Sequence, residues 1–206
     1  MTDSILGQLV KEWKETQALS AESRRAPLLD RMEELDQQKK NCAGCQGTCC
    51  TFVANSMQIT PIQALDIYAY LRETKKWSEE LIRLLKQTVR DYRLDYEIAL
   101  RKGLNLRRTY TCPFFADGPY GCSLPKEIKP YGCLGFNPTR PGVTEGENCG
   151  SEKSYLERRE ILGEQEGEET LNARFNQIPG LEWKKLDIPR ALLALDEVLS
   201  NHDINL

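Results

Sequence analysis

Hydrophobic residues recur at helical spacing near the N-terminus, in two stretches separated by Pro27. The first apolar stripe consists of Ile5, Leu6, Leu9, Val10 and Trp13. The second follows Pro27 and consists of Leu28, Leu29, Met32 and Leu35. Because side chains three or four positions apart lie on one face of an α-helix, each stripe predicts a helix with one buried face. We expect the two helices to pack as an antiparallel pair.

Two further helices are predicted in the middle of the chain. Thr60 can cap a helix that Pro61 opens, and Gln63 occupies the capping-box position. Ser78, followed by two glutamates, predicts the start of the next helix. This helix is expected to run to about Gly103. Its apolar stripe consists of Leu81, Leu85, Val89, Tyr92, Tyr96 and Ala99.

The C-terminal part of the chain predicts three more helices. Two are expected at residues 152–163 and 168–176, and the last carries a stripe of Ile188, Leu192, Leu195 and Leu199. The acidic stretch GEQEGEE, residues 163–169, separates the first two. Nothing periodic orders its carboxylates, so it is interpreted as a solvated turn and not as a cation site.

The stretch from Thr109 to Cys149 is rich in glycine, proline and aromatic residues and shows neither a helical nor an alternating period. A loop this long inside a compact domain is uncommon unless something besides a hydrophobic core fixes it. We therefore predict a mainly α fold, a single helical domain over residues 1–206 with an irregular, metal-pinned central region. It comprises an N-terminal helical pair (1–40), a cysteine-cluster metal-binding core (41–150) and C-terminal helices (151–206).

Charge and hydropathy narrow the class of protein. The chain has 206 residues and a formal net charge of -3, and its basic residues are spread along it, so we expect no nucleic-acid partner. The N-terminus lacks the apolar run of a signal peptide, and no stretch of eighteen apolar residues predicts a membrane span. These features favour a cytoplasmic protein with no membrane partner.

Cysteine spacing is the strongest chemical signal in the sequence. All eight cysteines are candidate metal ligands: Cys42, Cys45, Cys49, Cys50, Cys112, Cys122, Cys133 and Cys149. In a reducing compartment such a pattern indicates metal binding or catalysis more often than disulfides. Cys42, Cys45 and Cys49 are close enough in sequence to bind one centre. Adjacent α-carbons lie about 3.8 Å apart, below the roughly 4.4 Å minimum of ordinary disulfides, so Cys49 and Cys50 are not expected to be joined.

The side chains of Cys49 and Cys50 diverge, so one should face the first centre and the other a second centre or the core. The eight thiols divide either into two sites of four or into one site of four with leftovers. His202 is interpreted as a cation near a helix C-terminus or a solvated tail residue. The ligand set is therefore nearly all sulfur, which selects zinc or iron-sulfur chemistry.

The arrangement of the cysteines bears on which metal is bound. Structural zinc sites commonly use paired C-x2-C elements, and this chain has one such element. A close triplet with a distant fourth cysteine favours a 4Fe-4S cluster slightly over zinc as the cofactor. Aromatic residues near the cysteines would cover the centre or form a local core. They are Phe52, Phe114, Phe115, Tyr120, Tyr131 and Phe136.

These cysteine motifs resemble those of the YkgJ-type cysteine-cluster family, which is described as a zinc- or iron-chelating domain with a CxxCxxCC motif. The resemblance covers about residues 40–150. It rests on CAGCQGTCC, on the following ITPIQALDIYAYL, on CPFF at 112–115 and on CSLPKEIKPYGC at 122–133. It implies metal chelation by these cysteines and little about their role.

The metal ion or cluster is the expected ligand, and the sequence leaves its use open. A structural metal-bound interaction module, an iron-sulfur redox enzyme or electron carrier, and a metal-delivery or sensing protein all agree with the pattern. Buried free thiols or a redox-active dithiol are the alternatives to metal ligation. The sequence predicts neither a substrate nor a protein partner.

Overall fold

The computed structural model describes residues 5–43, 45–96, 99–100, 104–105, 107–116, 121–142, 148–204 and 206. These residues form a mainly helical fold, which confirms the predicted fold class. The helices in chain order are α1 (Ile5–Glu15), α2 (Ala21–Gln37), α3 (Pro61–Glu73), α4 (Glu79–Asp91), α5 (Tyr131–Leu134), α6 (Lys153–Gln165), α7 (Glu168–Phe175) and α8 (Ile188–Asn201). Short 3-10 helices cover Gln17–Leu19, Thr48–Cys50 and Lys126–Ile128.

Three pairs of very short antiparallel strands connect distant parts of the described chain. The strands are β1 (Gln58–Ile59), β2 (Ala99–Leu100), β3 (Leu104–Asn105), β4 (Phe136–Pro138), β5 (Cys149–Ser151) and β6 (Leu186–Asp187). β1 pairs with β6, β2 with β3, and β4 with β5. The first pair brings the start of α3 next to the start of α8.

The hydrophobic core forms around α3 and α8, which pack against each other. Leu65 on α3 and Leu192 on α8 have no exposed surface. Side chains from α1, α4 and α7 join the same cluster, as do Phe114 and Leu124 from the irregular central region. The cluster therefore draws on all three predicted parts of the chain, and its two loop members anchor segments that carry cysteines.

The N-terminal helices differ from the prediction. α2 begins at Ala21, where the Ser20 side chain accepts a hydrogen bond from the Ser23 backbone N–H, so Pro27 lies inside the helix instead of before it. α1 packs mainly on α7, and α2 packs mainly on α6 and on the 3-10 helix Lys126–Ile128. The predicted antiparallel pair is therefore wrong. The apolar stripes of α1 and α2 pack on later helices instead. α2 also buries Arg24 and Arg25, which pair with Asp66 on α3.

Both predicted caps in the middle of the chain are confirmed. The Thr60 hydroxyl accepts from the Gln63 backbone N–H at 3.4 Å, and the Ser78 hydroxyl accepts from the Leu81 N–H at 3.2 Å. The Gln63 side chain does not close a capping box, because its carbonyl oxygen accepts from the Tyr131 backbone N–H at 3.1 Å. That bond ties the start of α3 to the start of α5.

The helix that follows Ser78 is shorter than predicted. α4 ends at Asp91, Arg93 has a left-handed φ of 50°, and Ala99 already belongs to β2. The expected extension through residues 97–98 and 101–103 lies outside the described residues. The three C-terminal helices agree with the prediction within about two residues. No helix among the described residues has the length and apolar character needed to cross a bilayer.

Candidate metal centre and adjoining cavity

A cavity of about 420 Å³ lies between the cysteine-bearing loops and the helices α3, α6 and α7. Six cysteines line it: Cys42, Cys49, Cys50, Cys112, Cys122 and Cys133. They come from separate segments of the chain, the 42–50 loop, the segment around residue 112, the loop at 122 and helix α5. Residues up to about 90 positions apart in sequence therefore border one space, as the metal hypothesis requires.

The loop that carries Cys42 to Cys50 is a succession of tight turns. The Cys45 N–H donates to the Cys42 carbonyl at 3.1 Å, and the Cys50 N–H donates to the Gly47 carbonyl at 2.7 Å. Gly47 has a φ of 74°, in the left-handed region that glycine adopts without strain. Its N–H points to the Cys45 sulfur at 3.4 Å. Such a backbone donor favours the thiolate form of a sulfur ligand.

Two glycines let the 42–50 loop touch the loop that carries Cys122. A Cβ added to Gly47 would lie 2.7 Å from the Phe115 ring and 3.0 Å from the Gly121 α-carbon. A Cβ added to Gly121 would lie 2.7 Å from the Gly47 α-carbon. Because real Cβ atoms do not approach this closely, the contact requires glycine on both sides.

Cys112 is joined to Cys50 through the main chain. The Cys112 N–H donates to the Cys50 carbonyl at 2.7 Å, and the Tyr110 N–H donates to the Asn55 carbonyl at 2.9 Å. The Asn55 side-chain amide donates back to the Tyr110 carbonyl at 3.0 Å. Tyr110, which is fully buried, donates its hydroxyl to the Met57 carbonyl at 2.7 Å. This ladder fixes the position of Cys112 against the cysteine loop.

The last two cysteines are positioned by short regular elements. Cys133 lies in α5 and donates its N–H to the Pro130 carbonyl at 2.9 Å. Cys149 opens β5, where it pairs with Pro138 of β4. A short helix and a strand pair therefore interrupt the predicted irregular region. The helix contains Cys133, and the strand pair contains Cys149.

The thiols are partly or fully buried, and they perturb one another. Burial raises the pKa of the Cys42 thiol to about 11, with further contributions from Cys49, Cys149 and Cys45. Burial also raises the pKa of Cys133 to about 12, with a contribution from Cys122 that the Lys129 ammonium opposes. At neutral pH Cys42 and Cys133 are therefore protonated.

Cys49 occupies the middle of the set. Its pKa is raised by a hydrogen bond with Cys50 and by burial, and it contributes in turn to the raised pKa of Cys42, Cys112 and Cys133. Cys42 has Cys45 and Cys149 as its other sulfur neighbours, and Cys112 has Cys122 and Cys133. The thiols thus form two groups of three, with Cys49 between them and Cys50 beside it.

The geometry stops short of a formed metal site. Within the described part of the chain, no three or more histidine, cysteine, aspartate or glutamate side chains are placed so that they could hold a metal ion. No disulfide joins any of the eight cysteines, all of which lie in the described part of the chain, in agreement with the expectation that Cys49 and Cys50 are not joined. The sulfurs are neighbours, and ligation of one centre requires them to move closer together.

The aromatic residues expected to cover the cysteines divide into different environments. Phe114 is buried in the core, Phe136 lines the cavity, and Phe52 is 58% exposed. Phe115 contacts the Gly47 turn, and Tyr120 lies outside the described residues. Tyr131 packs among charged groups. His202 follows the last residue of α8 and is exposed, as the sequence predicted.

A buried charge network lies beside the cavity, which two of its members, Arg159 and Glu168, line. Asp66 on α3 accepts from Arg24 at 2.5 Å and from Arg25 at 2.9 Å, and all three side chains are fully buried. Burial favours the neutral form of Asp66, but the two guanidinium groups prevail and lower its pKa. The Arg25 Nε–H also donates to the Lys129 carbonyl at 2.7 Å, which ties the network to the turn before α5.

Glu168 is the second carboxylate of this network. It accepts from Arg159 at 2.7 Å and from the Tyr131 hydroxyl at 3.0 Å, and Arg24 lies 3.6 Å away. Only 4% of Glu168 is exposed, so the interpretation of residues 163–169 as a solvated turn is wrong for this residue, whereas Glu164 and Glu169 are exposed. Gly167, with a φ of 83°, reverses the chain so that Glu168 enters α7 on its buried side.

Sequence reasoning missed this network because each of its members lies in a stretch dominated by a helical pattern. One signal was readable: Asp66 is the lone charged residue in PIQALDIYAYL, which forms α3 up to Leu71. A carboxylate buried in such a helix requires a cation partner. The placement of α2 beside α3 decides which arginines are the cation partners of Asp66. The spacing of residues in the sequence does not reveal that placement.

Comparisons of the chain with protein-family models, with curated proteins and with solved structures find no match. The YkgJ-type resemblance therefore stays a prediction carried by the cysteine motifs alone.

Proposed function

We propose that this protein binds a soft metal centre, a 4Fe-4S cluster or zinc, through its clustered cysteine thiolates. The observation that carries the proposal is the convergence of six cysteines, from separate segments of the chain, on one cavity. Cys45 and Cys149 lie behind them as neighbours of Cys42. Thiolate sulfur is the ligand type that selects zinc and iron-sulfur centres over calcium, magnesium or manganese.

The chemistry of the donor set fits such a centre. Cys49 has sulfur neighbours on both sides, and the Gly47 N–H already points at the Cys45 sulfur. Backbone donors to sulfur tune cluster potentials and stabilise thiolates. The Lys129 ammonium offsets negative charge near Cys42, Cys49 and Cys133. A metal would supply the attraction that draws the sulfurs together, while the chain supplies their order and burial.

Grouping of the thiols favours two centres over one. The first group would be Cys42, Cys45 and Cys149, and the second would be Cys112, Cys122 and Cys133. Cys49 would supply the fourth ligand of one group, and Cys50 would supply that of the other. The divergence of adjacent side chains suits this division. An iron-sulfur centre would equip the protein for electron transfer or redox catalysis, and a zinc centre would make it a structural interaction module.

Metal analysis of the chain purified without oxygen tests the proposal. Iron and acid-labile sulfide in equal amounts, with visible absorbance that reductant bleaches reversibly, support a cluster. Stoichiometric zinc without colour supports the structural alternative. A folded chain that holds neither metal after anaerobic purification and reconstitution contradicts the proposal.

Serine variants separate one centre from two. With two centres, C42S and C112S should each lose about half of the metal, and the double variant should lose nearly all of it. With one centre, each single variant should lose either nearly all of the metal or none of it. A54S is the matched control, because Ala54 lines the same cavity and the change adds a hydroxyl without removing a sulfur.

A further inference from the structure

The helical side of the cavity contains a buried guanidinium whose hydrogen bonds are incomplete. Arg159 is 1% exposed and lines the cavity. Its Nη2 donates to Glu166 and Glu168, each at 2.7 Å. Its Nε and Nη1 have no hydrogen-bond partner in the described structure. Three of its five N–H donors are therefore unused, one on Nε and two on Nη1.

Burial does not turn this group into a neutral base. Burial lowers the pKa of Arg159, but hydrogen bonds to Glu166 and Glu168 outweigh it and the pKa is raised overall. The guanidinium lies over the Tyr131 ring at 5.4 Å, a contact that favours the cation. Arg159 is therefore charged, and its orientation is fixed on one side by two carboxylates and a ring.

Charge in this region is balanced by the protein only when the partly exposed Glu166 is counted. Three buried arginines, Arg24, Arg25 and Arg159, meet two buried carboxylates, Asp66 and Glu168. Glu166 is the nearest further carboxylate and is 23% exposed on the rim. The charged side chains that line the cavity are Arg107, Lys126, Lys129, Arg159, Lys185, Glu160, Glu168 and Glu169. Bases therefore outnumber acids there, and Glu160 is already engaged by Lys185 at 3.2 Å.

We propose that the cavity binds a small oxyanion, a carboxylate or a phosphate, on the free Nε and Nη1 donors of Arg159. Anionic oxygen is the acceptor that forms the strongest hydrogen bonds with guanidinium, and it suits a lining in which bases outnumber acids. A cavity of about 420 Å³ exceeds the needs of a bare ion and lies within the range of small-molecule sites. The thiols line the same space, so the anion would bind beside the proposed metal centre without depending on it.

Calorimetric titration of the full chain, at constant ionic strength in chloride, tests the inference with inorganic phosphate, acetate and succinate. Saturable binding of phosphate alone identifies a phosphate site, and saturable binding of acetate or succinate identifies a carboxylate site. Binding of none of the three above the chloride background overturns the inference, because the donors are then satisfied by water. Metal content is measured on the same sample, so that failure of the metal proposal and failure of the anion site are distinguished.

R159K is the decisive variant, because lysine keeps the charge opposite Glu168 and removes the Nε and Nη1 donors. We expect at least a tenfold loss of anion affinity. R31K is the matched control: Arg31 also pairs with two glutamates and lies over a tyrosine ring, at 4.9 Å, but it does not line the cavity. Unchanged affinity in R159K, or an equal loss in R31K, overturns the assignment.

A measurement on the unmutated chain covers the case in which R159K fails to fold. Arginine Nε–H resonances are followed by nitrogen-15 NMR during the same titrations, with the Arg31 signal assigned by its loss in R31K. Addition of the binding anion should shift the Arg159 signal and leave the Arg31 signal in place. A titration that shifts neither signal, or both equally, contradicts the site.

Discussion

Buried polar groups border the cavity on two sides, and the two sides satisfy them in different ways. On the helical side, α6 and α7 hold an arginine and a carboxylate in a direct ion pair, Arg159 with Glu168 at 2.7 Å. Glu168 also lies near Arg24, which pairs with the buried Asp66. On the loop side, thiols from separate turns have mainly one another as polar neighbours. The first side is completed by the protein, apart from Arg159, whereas the second side consists of thiols, the ligand type that soft metals select.

This difference shows which contacts make each side of the cavity rigid. The helical side is fixed by packing of long elements on a shared core, and its charges are held at set distances by helix geometry. The loop side depends on single main-chain bonds and on the glycine contact between Gly47 and Gly121. Loops with few apolar contacts open at lower free-energy cost than a packed core. A bound metal would remove that difference.

Metal removal should produce the largest effect, confined to the loop side. Chelation of structural zinc removes about 10–16 kcal/mol of binding free energy in small zinc domains, so we expect the cysteine loops to open. Hydrogen exchange measures this at two amides: that of Cys112, which donates to Cys50, and that of Ala64, which donates to Thr60 at the start of α3. The Cys112 amide should exchange at least tenfold faster after chelation and the Ala64 amide should not change.

Equal acceleration of both amides would mean that the two sides unfold as one unit. No acceleration of either would mean that the thiols hold no metal that matters for the fold.

Metal affinity should increase steeply with pH. Burial raises the pKa of Cys42 and of Cys133 to about 11 and about 12, so a metal must displace a proton from each ligand at neutral pH. Each displaced proton strengthens binding roughly tenfold per pH unit. The metal affinity of a site of four thiols should therefore increase about ten-thousand-fold per pH unit. Competition with a chromophoric chelator between pH 6 and pH 8 measures the slope. A flat profile would show that the ligands are already thiolates.

The Asp66→Asn variant should strongly destabilise the helical side. It leaves Arg24 and Arg25 buried without a counter-charge, and breaking a buried ion pair in this way costs about 3–5 kcal/mol. Because the folded-state pKa of Asp66 is lowered, its contribution is present above the ordinary carboxyl pKa and is lost as the pH falls through the lower, folded value. Denaturant unfolding measures both effects.

Asp36→Asn is the control for this change, because Asp36 is exposed and contacts Asn41 on the surface. It should alter the free energy of unfolding by less than about 0.5 kcal/mol. A comparable loss in the two variants would contradict the network as the source of stability.

The smallest effect is expected for Gly47→Ala. The new Cβ strains a left-handed residue, which costs about 1–2 kcal/mol, and collides with Phe115 and Gly121, which costs about 1–3 kcal/mol more. Gly167→Ala is the matched control, since Gly167 has a φ of 83° with nothing within 4 Å of its Cβ position. Thermal unfolding and metal content should both decrease in Gly47→Ala, and only stability should decrease, by about 1–2 kcal/mol, in Gly167→Ala. Equal changes would show that the contact between the loops is dispensable.

Several elements of the fold could be predicted from local sequence alone. The caps at Thr60 and Ser78 and the stripe of α8 involve residues within one or two turns of each other, so they were visible in the chain. Errors occurred where the outcome depended on partners far away in sequence. Pro27 marked the wrong start of α2, because Ser20 caps the helix about two turns earlier. Glu168 was predicted to be solvated, because nothing in the sequence shows that Arg159 and Tyr131 lie beside it.

The candidate site shows the same division. Residue chemistry and spacing identified the eight cysteines as a set, and the structure brings six of them to one cavity. Their grouping around Cys49 could not be derived, because it depends on how the 112 and 122 segments pack against the first loop. The cavity itself and the incompletely bonded Arg159 were also beyond reach, since both arise from the docking of α6 and α7 next to α3.

By itself the sequence determined which helices form in the C-terminal half, where two of the central helices start and which atoms can bind a soft metal, because periodicity, capping and thiol chemistry are local properties. Only the tertiary structure decided that three arginines and two carboxylates share one buried network, and that two members of this network line the same cavity as the thiols. Charges and sulfurs distant in sequence acquire their energies from the neighbours and the burial that the fold gives them, and neither is encoded in any short stretch of chain.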